Sequence, residues 1–202
     1  MSFLFESQII DLRGLLPWVR TRREKAAVRQ IVEQKRRIMK PEEVKEQSSH
    51  IISQIEQMHW FREAKTVLIY YPIHNEVDLR PLLEKYKDEK TFLFPVTHHD
   101  SMDIHPYDGE DKMKRGKYNV PEPQTPLWED DIDLILVPGV VFDQKLHRIG
   151  RGGGFYDKFL HEQRKPHKVA VCYDFQVKKH TIPQSWFDKP VDRIVTPTRT
   201  IG

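Results

Sequence analysis

Apolar positions along the chain recur with two periods, and the switches between them mark alternating helices and strands. Across residues 24–39 the apolar positions Ala26, Ala27, Val28, Ile31, Val32 and Ile38 sit among cations, which predicts a basic helix. Pro41-Glu42-Glu43 opens a second helix, with proline at its entry and acids in its first turn. It runs to about Met58, with Val44, Ile51, Ile52, Ile55 and Met58 as an inward stripe. Short apolar, β-branched or aromatic runs at 66–71, 91–95, 134–137, 168–173 and 191–196 predict strands. A weaker run at 101–107 predicts an antiparallel strand. Helical spacing returns at 79–86 and from Phe155 onward, while 108–126, with Pro121, Pro123 and Pro126, reads as loop. Helices alternating with apolar strands predict α/β layers around a mostly parallel sheet.

Composition narrows this pattern to one domain. A chain of 202 residues with 38% hydrophobic and 31% charged residues can bury one sizeable α/β core. A net charge of +3 gives no global electrostatic case for nucleic acid. The single cysteine, Cys172 in the strand-like VAVCY, excludes an intramolecular disulfide and reads as an inert core thiol in a reducing compartment. No apolar run is as long as a membrane span. The ten histidines show no metal-ligand spacing such as HExxH. Residues 1–22 mix apolar residues and arginines, and Glu6 and Asp11 argue against a transit peptide. They are expected to form an extension of unassigned role, ahead of a single domain over 23–202.

The densest candidate chemistry follows the strand at 134–137. Pro138-Gly139 stops that strand, a polar loop is expected next, and then Gly150, Gly152, Gly153 and Gly154 crowd into five positions before a helix. Such a loop lets backbone N–H groups approach an anion, and the helix N-terminus adds a favourable partial charge. Arg148 and Arg151 flank it as phosphate partners. It is neither a Walker loop nor GxGxxG, since Phe155 stands where the third glycine would fall. The bland alternative is a mobile turn. Lys25 and Arg29, four apart, project from one face of the first helix, where a solvated basic face is the bland reading. Lys35, Arg36 and Arg37 are read as solvated. Asp78 reads as an N-cap of the helix at 79–86.

The stretch PGVVFD followed by RIGRGGGFYDKFL resembles the 5-formyltetrahydrofolate cyclo-ligase family, whose pattern runs roughly P-G-x-x-F-D, then R-L-G-x-G-x-G-Y-Y-D-x-x-L. Lys25-Ala26-Ala27-Val28-Arg29 is similar to the family's K-x-x-x-R, and the segment from Tyr71 to Asp78 to its Y-x-x-x-x-E-V/I-D. The resemblance extends from about Lys25 to Thr196. It implies a Rossmann-like three-layer α/β domain and an ATP- and Mg²⁺-dependent conversion of 5-formyltetrahydrofolate to 5,10-methenyltetrahydrofolate, releasing ADP and phosphate. It implies ATP contacts by Lys25, Arg29, Arg148, Ile149, Gly150, Arg151, Gly152, Gly153, Gly154, Phe155 and Tyr156. Folate contacts are implied for Tyr71, Glu76, Arg151, Gly152, Gly153, Gly154 and Phe155, and catalytic roles for Arg148, Arg151 and Tyr156. Asp157 and Asp192 match the family's Mg²⁺ carboxylates. The run Tyr118-Asn119-Val120-Pro121-Glu122-Pro123 is expected either to wall the folate pocket or to be a rigid spacer. A cytoplasmic monomer acting on small molecules, with neither nucleic acid nor membrane as partner, is expected. Two departures stand out: Gln144-Lys145-Leu146-His147 lacks the family's usual glycine, and Phe155 replaces its more frequent tyrosine. The rival class is a non-catalytic module, in which the basic helix grips RNA or an acidic partner.

Overall fold

A computed structural model describes residues 17–99, 101–116 and 119–202. Helix α1 (Pro17–Arg37) begins at a proline, whose missing N–H costs nothing in a first turn. It starts seven residues before the expected Glu24, so the boundary expected after residue 22 falls inside a continuous helix. Helix α2 (Pro41–Gln57) matches expectation and turns Ile51, Ile52 and Ile55 inward. A short α3 (His59–Glu63), β1 (Thr66–Leu68) and α4 (Arg80–Tyr86) follow. Leu79, not Asp78, is the N-cap of α4, although the Asp78 carboxylate accepts the Arg80 N–H at 3.0 Å.

The chain continues through β2 (Thr91–Thr97) and β3 (Met102–Pro106), antiparallel as expected. Within the expected loop, β4 (Met113–Arg115) and β5 (Pro121–Pro123) form a small hairpin. Tyr118 of the proline-rich run lies outside the described residues. Then come β6 (Leu134–Val137), β7 (Val141–Asp143), β8 (Arg148–Ile149), α5 (Phe155–Glu162), β9 (His167–Val171), β10 (Val177–Lys178), β11 (Arg193–Val195) and β12 (Thr200–Ile201). The polar loop expected after β6 is instead structured, because β7 pairs with both β8 and β10. Phe142 anchors that element in the core.

The main sheet has the order β12-β11-β9-β6-β1-β2-β3, with its five inner strands parallel and its two edges antiparallel. Alternation along the strands builds a core on each face. Val67, Leu134, Leu136 and Val169 pack beneath α2, α3 and α4; Leu68, Ile135, Val137 and Ala170 pack against Phe159 and Leu160 of α5. The result is the expected three-layer α/β arrangement. Cys172 is buried as expected, and burial pushes its thiol up. Among the described residues no helix is long and apolar enough to cross a membrane.

Topology selects one end of this sheet. The chain passes from β1 to β2 on one side and later returns to β6 on the other side of β1. The crevice beyond the carboxyl ends of β1 and β6 is therefore a switch point, where open α/β sheets admit ligands.

Asp143 pins the β7–β8 turn. Its carboxylate accepts the Lys145 and His147 amides and the Ile182 amide at 3.0 Å, and lies 3.0 Å from the His147 ring. Burial alone would raise this carboxyl, but the bonds from Ile182 and His147 outweigh it and hold it below its ordinary value. The stabilisation is present above the unfolded-state value of about 3.9 and is lost as pH falls through the lower folded value. Urea midpoints measured against pH should therefore fall less steeply below about pH 4 in Asp143→Asn, from a lower neutral value, than in the parent. Parallel profiles would exclude this role.

Candidate active site

Helix α1 lies across the open end of the sheet and lays one stripe of side chains into it. Lys25, Arg29, Val32 and Arg36 are spaced by four, three and four residues, so they share one face. Val32 packs with Val140, Val141, Ile149 and Ile182, which seats the helix on the β7–β8 hairpin. The three cations then meet three different partners. Lys25 Nζ donates to Ser185 Oγ at 3.0 Å and to the Asp188 carboxylate. Arg29 Nε donates to the Gly150 carbonyl at 2.7 Å. Arg36 Nη1 lies 3.5 Å from Glu76 Oε1.

Glu76 reaches this point on a turn beyond the carboxyl end of β1. His74 and Asn75 both have positive φ, a region asparagine tolerates. Asn75 Nδ2 donates to the carbonyls of Arg36 and Met39, 3.1 Å each, closing the end of α1 and tying it to the turn. Glu76 Oε2 accepts the Ile73 amide, and Oε1 accepts Arg151 Nη2 at 2.6 Å. The carboxylate thus joins the glycine loop, through Arg151, to the buried Arg36. Burial pulls the Arg36 guanidinium down and Glu76 pushes it back up.

The loop itself, 150–154, is largely exposed above this network. Gly152 has φ +108°, and an added Cβ at Gly153 would lie 2.7 Å from the Phe155 ring. Phe155 therefore folds over the loop. Tyr71 is half-buried beside Arg80, whose guanidinium lies 5.5 Å from its ring. The Tyr156 hydroxyl is buried with no hydrogen-bond partner among the described residues, and burial pushes its phenol up. Clefts of about 450 Å³, around Trp60, Asp133 and His167, and about 220 Å³, around Trp128 and Phe159, contain none of the expected site residues. The chemistry-bearing groups converge instead at the switch point.

A family description, "5-formyltetrahydrofolate cyclo-ligase family", matches residues 21–197, a span that takes in the whole constellation. The chain belongs to that family. It is 26% identical over 182 residues to 5-formyltetrahydrofolate cyclo-ligase of Escherichia coli strain K12, covering 84% of this chain and 98% of the relative. Its structure resembles that of Aquifex aeolicus 5,10-methenyltetrahydrofolate synthetase, with TM-score 0.80 and 32% identity over 88% of this chain and 91% of the other. The 5,10-methenyltetrahydrofolate synthetase of Mycoplasma pneumoniae, 24% identical with TM-score 0.70 over 86% of this chain and 98% of the other, shares the fold.

Against the cyclo-ligase pattern, three of the expected residues have partners of their own in this structure. Arg148 does not flank the loop as a free cation. It is buried, and its Nη2 donates to Asp157 Oδ1 at 2.7 Å, so it locks the first turn of α5 to β8. Asp157 and Asp192 do not form a pair. Asp157 stands beside the loop and also accepts the Lys189 amide at 3.3 Å, whereas Asp192 Oδ2 accepts the Lys168 amide at 2.7 Å. Asp192 precedes β11 and Lys168 is the second residue of β9, at the amino ends of parallel strands, opposite the glycine loop. The residues present do not fit a two-carboxylate Mg²⁺ site, and no group of three or more potential ligands gathers among the described residues.

Asp157→Asn is accordingly expected to cost stability, by about 3 kcal/mol, because it leaves a buried arginine without its counter-charge. Urea denaturation checks this, and a loss under about 0.5 kcal/mol, the range of surface substitutions, would exclude the ionic lock.

Arg36 was hidden in the sequence by its neighbours. Set between Lys35 and Arg37 it reads as solvated, yet it is only 1% exposed. Its signal was its place seven residues after Arg29 and eleven after Lys25, on the same face.

Proposed function

We propose that this cyclo-ligase family member converts 5-formyltetrahydrofolate to 5,10-methenyltetrahydrofolate, with ATP as co-substrate and ADP and phosphate as the other products. The observation that carries this reading is the stripe on α1, which sets Lys25 at the 185–188 turn, Arg29 at the glycine loop and Arg36 beside a buried glutamate. A formamide oxygen is a poor leaving group. Transfer of the γ-phosphoryl group to that oxygen releases ADP and makes the formyl carbon electrophilic. N10 of the folate then attacks the carbon, the C–O bond breaks with departure of phosphate, and the N10 proton is lost to solvent.

Such chemistry asks the protein for positioning and charge neutralisation more than for a nucleophile. Lys25, Arg29 and Arg151 are assigned to the phosphate oxygens, and the N–H groups of 150–154 to closer contacts with them. Glu76 is assigned to the N–H donors of the pterin ring, with Tyr71 and Phe155 bounding it. Arg148 holds the first turn of α5, and Tyr156 offers a buried hydroxyl beneath the loop. Magnesium is needed here only as the ion that accompanies ATP.

The decisive experiment is incubation with ATP, Mg²⁺ and 5-formyltetrahydrofolate, following the methenyl absorbance and ADP together. One ADP per methenyl product, with neither formed when ATP is omitted, is the expected result. Methenyl product without ADP, or no product, would overturn the reading.

A further inference from the structure

An aromatic pair stands in solvent beside Lys25. Trp186 is 94% exposed and Phe187 48% exposed, and their rings meet edge to face at 5.7 Å. The turn that carries them is nevertheless fixed. The Asp188 carboxylate accepts the Ser185 amide at 2.7 Å, and the Asp188 amide donates to the Ser185 carbonyl at 3.1 Å. Lys25 closes the turn from outside by bonding both residues, and its ammonium lies 5.8 Å from the Phe187 ring. The flanks are pinned as well, Ile182 to Asp143 and Lys189 to Asp157. Indole placed in water on a fastened turn has its flat face free for a partner.

We infer that Trp186, backed by Phe187, is the platform on which the nucleotide's base stacks. The inference deepens the ATP reading above and rests on it. Helix α1 orders the ligand along its length. Arg36 marks the pterin end at Glu76, Arg29 marks the glycine loop, and Lys25 marks the turn at 185–188. At 1.5 Å per residue, Arg29 lies about 10 Å and Lys25 about 16 Å along the axis from Arg36. The γ-phosphate has to face the formyl group, so ribose and base must extend away from the pterin end, past Lys25. What lies there is the Trp186 turn. Lys25 has three N–H donors, and Ser185 and Asp188 use two, which leaves one for a phosphate oxygen. Stacking on an indole recognises any flat heteroaromatic base, so the platform supplies affinity for a nucleoside triphosphate and little choice among bases.

Because Trp186 is exposed, its removal leaves the fold intact, and the test is one of binding by the full chain. Calorimetric titrations with Mg·ATP and with inorganic triphosphate, which has phosphates but no base, are compared for the parent, Trp186→Ala and Trp186→Phe. Trp186→Ala is expected to bind ATP ~5- to 150-fold more weakly, the range for losing one stacked base, with unchanged affinity for triphosphate. Trp186→Phe should recover most of the loss. Equal ATP affinity in parent and Trp186→Ala would overturn the platform and leave the proposed function standing. Equal weakening of ATP and triphosphate would also overturn it, since the turn would then act only through Lys25. A parent chain that binds no ATP would overturn the platform together with the ATP reading.

Discussion

Glu76→Gln is expected to destabilise the protein by about 3–5 kcal/mol, the usual cost of removing one partner from a buried ion pair. The carboxylate serves two arginines at once, with Arg151 at 2.6 Å and Arg36 at 3.5 Å from Oε1. Arg151 is half-exposed and can turn to water, but the Arg36 side chain is 2% exposed and cannot. Arg36 Nε and Nη1 have no hydrogen-bond partner among the described residues, so its cation depends on the ion pair with Glu76 for compensation. An amide at position 76 removes that charge and can turn an N–H toward the guanidinium. Folate affinity should fall as well, by roughly 1.5–3 kcal/mol, the worth of a hydrogen bond to a charged group. Urea denaturation and folate titration separate the two effects. Replacing both buried partners, Arg36→Met with Glu76→Leu, should restore most of the stability and none of the folate affinity. Parental stability in Glu76→Gln would show that Arg36 does not depend on this carboxylate.

Gly152→Val is expected to do the opposite, weakening nucleotide binding by two orders of magnitude or more while sparing the fold. Space is not the obstacle, since an added Cβ would lie 3.7 Å from the Arg29 guanidinium, an ordinary contact. The backbone is. At φ +108° a β-branched residue is strained by about 1–3 kcal/mol, and an exposed loop relieves such strain by moving. Movement takes the N–H groups off their mark and pulls the Gly150 carbonyl from Arg29. Loss of one preorganised donor to a charged oxygen commonly costs about 2.7–4 kcal/mol, whereas the melting temperature should drop only a few degrees. ATP titration with thermal melting is the check, and parental affinity would remove the loop from the site.

What the sequence disclosed depended on how far apart the deciding residues lie. The strand at Leu134–Val137 and the stripe of α2 were legible because each repeats its period locally. The β7–β8 hairpin was not, since three residues and two residues are too short for a period. Its evidence is Asp143 gathering amides from as far away as Ile182. Lys25 and Arg29 showed in their spacing, but Arg36 could not be told from Lys35 and Arg37 without Glu76, forty residues on. The position of Asp192 at the amino end of β11 was hidden for a related reason. A short chain distance from β11 conceals which end of the sheet a residue occupies.

The way α1 is seated has a consequence for how the protein survives between turnovers. Of its described side chains, Val32 is the one fully buried apolar anchor; the others that bury are Lys25 and Arg36, held by polar contacts. Lifting the helix would uncover Val32 and the Val140, Val141, Ile149 and Ile182 side chains under it but neither main core, so its opening free energy is expected to lie below that of global unfolding. The substrates assigned to this face bind only the seated helix, and at a hundred times its dissociation constant a ligand adds about 2.7 kcal/mol to the seated form. On the proposed reading a protease attacking residues 17–37 competes with the nucleotide for the same segment, and the expected result is that ATP slows cleavage there, which would tie the lifetime of the chain to its substrate supply.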